Sequence, residues 1–143
     1  MTTTSKIIFS CAIVFTLAFT SCKAKKPSEP PAPTPSVSGT WQGSGVKSGI
    51  KFTVTVNLAQ ADGDTVITGD GNIAALIVTV PFTVTGGNNY PDVRMTFTSH
   101  DPNFGSGIYV GKFDALSDNA INGAATVPAF GITNEPLRIE RTK

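Results

Sequence analysis

The chain has 143 residues, two cysteines and a formal net charge of +1. This length allows a single domain once any leader has been removed. Residues 38–143 carry seven basic and nine acidic side chains, a net charge of −2. They show no basic patch, so nucleic acid is excluded as an expected partner.

The first 21 residues have the pattern of a signal peptide. Lys6 is the only charge before Cys22, and the stretch from residue 7 to residue 19 is mostly apolar. A basic start followed by an apolar core of this length is typical of export signals. A membrane-spanning helix needs roughly 20 apolar residues. We therefore expect residues 1–21 to be a targeting segment that is removed.

The signal ends in Leu17-Ala18-Phe19-Thr20-Ser21-Cys22, which resembles the lipobox of bacterial lipoproteins, with Phe19 where many members carry leucine. The resemblance implies that cleavage leaves Cys22 as the N-terminus and that acyl chains such as palmitate are attached to it. It also implies a protein anchored in a membrane of the bacterial cell envelope, such as the outer membrane, on its periplasmic or surface face. An ordinary export signal that happens to contain a cysteine is the alternative. Cys11 is lost with the signal, so neither a disulfide nor a thiolate metal site is expected.

Residues 22–37 are predicted to be the lipidated cysteine and a tether. Five prolines fall between Lys23 and Ser38. Proline fixes φ and cannot donate a backbone hydrogen bond, so neither helix nor sheet is expected here. Such a tether extends about 3 Å per residue, on the order of 40 Å in all.

From residue 38 to residue 143, apolar and polar residues alternate with a period of two, which is typical of half-buried strands. One face carries Phe52, Val54, Val56 and Leu58, and the same pattern recurs in Leu76, Val78, Val80, Phe82 and Val84. Candidate strands lie near residues 39–46, 50–60, 64–70, 74–85, 92–99, 107–116, 120–127 and 136–142. This pattern predicts an all-β domain, a single antiparallel up-and-down barrel of about eight strands. Pro81 predicts a bulge or break within its strand.

The first and last strands carry residues that resemble those of lipocalin or calycin barrels. Gly39-Thr40-Trp41 opens the first strand, and Arg141 lies near the end of the last. In that group the arginine packs across the tryptophan at the closed end of the barrel. The resemblance implies that Trp41 and Arg141 form this closing pair, with Arg138 as the other choice. Trp41 as an ordinary core aromatic is the alternative reading.

Alternate loops of an up-and-down barrel share one end. We therefore expect the loops at 47–49, 70–74, 100–106 and 128–135 to meet far from Trp41, and those at 61–63, 86–91 and 117–119 to share the other end. The two longest loops belong to the first group and contain His100, Phe104 and Phe130. Apolar barrel mouths with a few polar groups are frequent small-molecule sites. These three residues are the candidate ligand-binding rim, with ordinary loop packing as the alternative.

The sequence favours a lipid-anchored envelope protein that binds a small apolar ligand. A protein-binding module, such as an inhibitor of a secreted hydrolase, and a structural surface lipoprotein are the alternatives. No enzyme is expected, because the lone His100 has no nucleophile and orienting partner in its pattern. Neither a metal nor a cofactor is expected, since no matching ligand spacing or nucleotide fingerprint occurs. The space left inside the barrel distinguishes these three hypotheses. Room left by Gly111, Gly123, Ala124 and Ala125 favours the first, and filling by Phe52, Phe82, Phe97 and Phe113 favours the others.

Overall fold

The computed structural model describes residues 34–143, which form eight strands and one short 3-10 helix. The predicted signal peptide, the predicted lipidation site Cys22 and the predicted tether up to residue 33 lie outside the described residues. The strands are β1 (Gly39–Lys47), β2 (Ile50–Ala59), β3 (Val66–Ala75), β4 (Val78–Asn89), β5 (Asp92–Ser99), β6 (Ser106–Asp114), β7 (Ser117–Val127) and β8 (Ile132–Arg141). The 3-10 helix, Pro128–Phe130, precedes β8.

Each strand pairs antiparallel with its neighbours in sequence, and β8 pairs with β1 to close the barrel. The prediction of an all-β, up-and-down barrel of eight strands is therefore confirmed. The alternation that predicted the strands distinguishes the residues that face the inside of the barrel from those that face outward. In β2, for example, Phe52, Val54, Val56 and Leu58 are buried inside the barrel. Among the described residues, no helix is long and apolar enough to cross a membrane.

Three predicted turns lie inside strands instead. Asp70-Gly71-Asn72 belongs to β3, because Gly69 and Gly71 occupy inward positions of a strand that continues to Ala75. Gly86–Asn89 ends β4, and Asp118-Asn119 lies in β7. The turns themselves are formed by Leu76-Ile77, Tyr90-Pro91 and Ala115-Leu116.

The bulge predicted at Pro81 is absent from the β3–β4 ladder, which keeps one register from Val66 to Val78. The Pro81 carbonyl accepts a hydrogen bond from the His100 amide on the β5 side of β4. The missing amide of Pro81 faces the same side, since both backbone groups of a residue point to one neighbour in an antiparallel ladder. β5 ends at Ser99, so the one hydrogen bond that Pro81 cannot donate would lie beyond the end of the β4–β5 ladder.

The barrel closes over a short seam. β1 and β8 pair only through Trp41, Gln42 and Gly43 with Arg141, Glu140 and Ile139. The Thr142 amide adds a hydrogen bond to the Thr40 carbonyl. Further along, Lys47 Nζ contacts Glu135 Oε2 at 2.9 Å. Closure is therefore concentrated at the end of the barrel that contains Trp41.

The segment before β1 is packed against this same end. Val37 is fully buried, and its amide donates a 3.0 Å hydrogen bond to Gln60 Oε1. The Ser38 hydroxyl contacts the Gln60 carbonyl and amide at 3.0 and 2.9 Å. The folded unit thus includes residues that were predicted to belong to the tether, because the Val37 side chain is part of the hydrophobic core.

Candidate binding site at the open end of the barrel

The end that contains Trp41 is sealed by an aromatic ring and a guanidinium. The Arg141 Cζ atom lies 4.8 Å from the centroid of the buried Trp41 ring, within range of a cation–π interaction. The Trp41 indole donates to the Val37 carbonyl at 2.7 Å, and Arg141 Nη2 donates to the Ser36 carbonyl at 2.6 Å. The structure therefore brings the two residues of the sequence-derived pair together. It joins both to the end of the tether.

Arg138, the other choice for this role, lies on the outer wall. Its guanidinium contacts Asp114 Oδ2 at 2.7 Å and Glu140 Oε1 at 2.8 Å. The hydrogen bond from Arg138 is the main reason why the pKa of Asp114 falls from 3.8 to about 2. Hydrogen bonding to Asp114 likewise raises the pKa of Arg138. Arg138 therefore belongs to a surface charge network.

Next to the closed end, a buried polar cluster holds the tether residues. Asn88 is 1% exposed, and its Nδ2 donates to the Pro35 carbonyl at 2.8 Å and to Gln60 Oε1 at 3.0 Å. Buried polar groups are tolerated where they are hydrogen-bonded. Both of these hydrogen bonds of Asn88 involve Nδ2, while its buried Oδ1 has no hydrogen-bond partner among the described residues. The cluster fixes Pro35 on the closed end of the barrel.

The interior of the barrel is filled by side chains. All four phenylalanines named in the sequence analysis, Phe52, Phe82, Phe97 and Phe113, belong to the core or pack against it. Tyr109 is also buried, and its hydroxyl lies 3.0 Å from the carbonyl oxygens of both Ile121 and Leu137. Burial raises the pKa of Tyr109.

The small residues of β6 and β7 do not leave an empty lumen. A Cβ atom at Gly123 would lie 2.6 Å from Tyr109 Cζ, so the tyrosine ring occupies the space that this glycine leaves. Ala124 pairs with the exposed Val110 and faces outward. The remaining internal cavity has a volume of about 40 Å³. Ligand pockets usually measure about 300–1,000 Å³, so this cavity is too small for an apolar ligand.

Two aromatic rings cover the open end. Phe104, in the loop between β5 and β6, stacks on Phe130 of the 3-10 helix with a centroid distance of 5.3 Å and an interplanar angle of 16°. Both residues are half-buried. The topology therefore brings together two of the three predicted rim residues. The third, His100, is exposed and lies outside the set of residues that line the cavity or the groove above it.

An apolar groove of about 460 Å³ lies outside this aromatic pair. Its walls are the β1–β2 turn and the β3–β4 turn, and Lys47 lies at its edge beside Glu135. The floor residues also line the internal cavity from the other side: Phe52, Ile73, Phe104, Phe130 and Ile132. The rings thus line both a small interior cavity and a larger concave surface.

The most exposed apolar residues of this end form the β3–β4 turn. Leu76 is 81% exposed and Ile77 is 100% exposed. Leu76 also has a φ of 54°, a left-handed conformation that is uncommon for a bulky side chain. This turn was not predicted, because the alternation of apolar residues placed Leu76 on the inward face of a strand. Hairpin turns favour glycine and asparagine. The apolar pair Leu76-Ile77 lacks the residues by which such a turn is usually recognised.

Comparison with protein families, with curated proteins and with solved structures finds no match for this chain. Function must therefore be argued from the geometry. Within residues 34–143, no three His, Cys, Asp or Glu side chains lie close enough together to hold a metal ion. Within the part of the chain that the structure describes, the apolar groove with its exposed Leu76-Ile77 turn is the candidate binding surface.

Proposed function

We propose that this protein is a lipid-anchored binding module of the bacterial cell envelope, and that it contacts a protein partner through the open end of its barrel. The observation that carries the proposal is the Leu76-Ile77 turn. It exposes two large aliphatic side chains beside an apolar groove. Contiguous exposed apolar surface marks interaction sites, since isolated apolar residues are ordinary but clusters are costly in water.

The conformation of this turn supports a role in binding. A leucine in the left-handed region costs on the order of 1 kcal/mol, and glycine would remove that cost. Neither side chain of the turn belongs to the hydrophobic core. A residue that is both strained and exposed is expected where it serves contact with another molecule.

The attachment of the tether supports a site at the opposite end of the barrel. Pro35 and Ser36 are held at the closed end by Asn88 and Arg141. In the proposal, Cys22 carries acyl chains, and residues 22–33 connect the membrane to this closed end. The open end is then the end of the barrel opposite to this attachment, where a partner can reach it.

The filled interior favours this function over a ligand bound inside the barrel. A cavity of about 40 Å³ holds little more than a water molecule. A small apolar ligand remains the second candidate because the groove, at about 460 Å³, lies within the usual range of ligand pockets. Such a ligand would lie on the Phe104–Phe130 pair and outside the lumen.

The proposal can be tested in intact cells. Metabolic labelling with a palmitate analogue should mark the wild-type chain and not the Cys22→Ala chain. A photo-crosslinking residue at Ile50, on the groove wall, should yield protein adducts, and Ile77→Asp should abolish them. Leu116 is 96% exposed in the turn between β6 and β7, at the other end. Leu116→Asp is therefore the matched control and should leave the adducts unchanged. An adduct-free chain that retains a small apolar molecule in native mass spectrometry would favour the second candidate instead.

A further inference from the structure

We infer that the partner at the open end is a second copy of this chain, and that two barrels meet mouth to mouth about a twofold axis. The inference rests on the proposed function, because it names the partner of the same surface. In this arrangement the Leu76-Ile77 turn of each copy enters the apolar groove of the other.

The open end is complementary to itself. It carries a projection, the Leu76-Ile77 turn, directly beside a concave groove of about 460 Å³. A twofold contact uses one surface patch twice, so each projection requires a recess on the same patch. Leu76 lines one wall of the groove, while the adjoining Ile77 is fully exposed. One rotation therefore places both turns in both grooves.

The charges at the rim fit the same symmetry. Lys47 and Glu135 form a 2.9 Å ion pair beside the groove, with side chains 35% and 29% exposed. This side of the groove thus presents a cation and an anion next to each other. Across a twofold axis, Lys47 of each copy faces Glu135 of the other, and two opposite-charge contacts form. Such pairing gives specificity, since like charges brought together at an interface are strongly unfavourable.

The available area suits a weak contact. Ile50, Leu76, Ile77 and Val78 are 42–100% exposed around the groove. Together they present roughly 450 Å² of surface per copy, which is the size of a functional apolar patch. With the half-buried Phe104 and Phe130, complete burial of this surface in both copies would remove at most about 1,000 Å² from solvent, the lower limit for a specific interface. Anchoring both copies in one membrane would raise their effective concentration and compensate for this small area.

The experiment uses the full chain in the cell envelope, expressed as two copies with different epitope tags. A photo-crosslinking residue at Ile50 should yield a product that contains both tags. Ile77→Asp in both copies should reduce this product about tenfold or more, because it would bury a carboxylate. Leu116→Asp should leave it unchanged. The emission of Trp41, the only tryptophan, serves as a check that each variant remains folded.

The charge pair supplies a second, independent test. Lys47→Glu in both copies, or Glu135→Lys in both copies, should reduce the two-tag product about tenfold. Coexpression of a Lys47→Glu copy with a Glu135→Lys copy should restore it. Repair of the ion pair within one chain cannot explain this rescue, because neither chain carries both substitutions.

Each other outcome would overturn the inference. The copies would meet through another surface if the two-tag product persisted in Ile77→Asp. The same conclusion would follow if coexpression of the two charge variants failed to restore the product. Products that contain one tag and a different protein would exclude a second copy while leaving the proposed function intact. A complete lack of products at Ile50 would remove both the inference and the proposed function.

Discussion

Gly123 lies against the ring of Tyr109, so close that a Cβ atom at position 123 would be 2.6 Å from Tyr109 Cζ and 2.7 Å from its hydroxyl oxygen. The same hydroxyl lies 3.0 Å from the carbonyl oxygens of Ile121 in β7 and Leu137 in β8. Tyr109 therefore links three strands from inside the barrel, and it can do so only because position 123 has no side chain.

Gly123→Ala should destabilise the protein by about 1–3 kcal/mol, the usual effect of overpacking a filled core. The added methyl would meet the Val110 carbonyl as well as the tyrosine ring. The free energy of unfolding from chemical denaturation provides the measurement. Gly87→Ala is the control, because a Cβ atom there would have no neighbour closer than 3.8 Å. Equal effects of the two substitutions would contradict this account of the interior.

Tyr109→Phe should change how stability depends on pH. Burial raises the pKa of Tyr109 in the folded state. The contribution of the protonated Tyr109 to the free energy of unfolding is therefore fully present below about pH 10, the ordinary tyrosine pKa. It is lost as the pH rises above that value. Relative to the phenylalanine variant, the wild type should lose up to about 1.4 kcal/mol per pH unit in that range.

Denaturation curves of the wild type and Tyr109→Phe between about pH 8 and pH 11 would show this difference. Lysine titration affects both proteins alike and cancels in the comparison. Two stability curves that remain parallel across the range would mean that the hydroxyl of Tyr109 is accessible to solvent.

Arg141→Ala should destabilise the protein by about 1–2 kcal/mol, because it removes the cation over Trp41 and the hydrogen bond to the Ser36 carbonyl. It should also shift the emission of Trp41 to longer wavelengths as water reaches the indole. Arg138→Ala, on the outer wall, should leave the emission unchanged. A shift of the same size in both variants would assign the effect to general loosening of β8.

Replacement of Arg138 should restore the pKa of Asp114. In the wild type, the hydrogen bond from Arg138 holds this pKa at about 2, below the ordinary 3.8. A lowered pKa stabilises the folded state above about pH 4, and this contribution is lost as the pH falls towards 2. In Arg138→Gln, the carboxyl titration of Asp114 followed by NMR should move upward towards 3.8, and the loss of stability that this group causes on acidification should become smaller. An unchanged titration midpoint would mean that Leu116 and Asn122 alone hold the carboxylate.

The strands could be predicted because their signal is local. In β2 the inward Phe52, Val54, Val56 and Leu58 alternate with polar residues, and the buried pattern follows that alternation. The turns were harder to place because glycine and asparagine occur both in turns and inside strands. Gly71 resembles a turn residue in sequence, yet it lies in β3 where a Cβ atom would meet the Phe82 ring at 2.9 Å.

The candidate site was predictable only in part. Loop order in an up-and-down barrel placed Phe104 and Phe130 at one end, and the structure shows their rings stacked. The Leu76-Ile77 turn was not predicted, because two aliphatic residues next to Val78 continue the pattern of a strand. His100 lies in the same long loop as Phe104, but loop membership does not decide which side chains turn inward.

Sequence alone determined the all-β class, the eight strands and their order, since period-two alternation and short connections leave few other arrangements. It also supplied the reasons to expect an anchor at Cys22. Only the tertiary structure decided that the interior is full and that the larger apolar groove lies outside it. That outcome depends on which ring meets which glycine across neighbouring strands, as Tyr109 meets Gly123. The register that brings such residues together is a property of strand pairing, and no single segment of the sequence contains it.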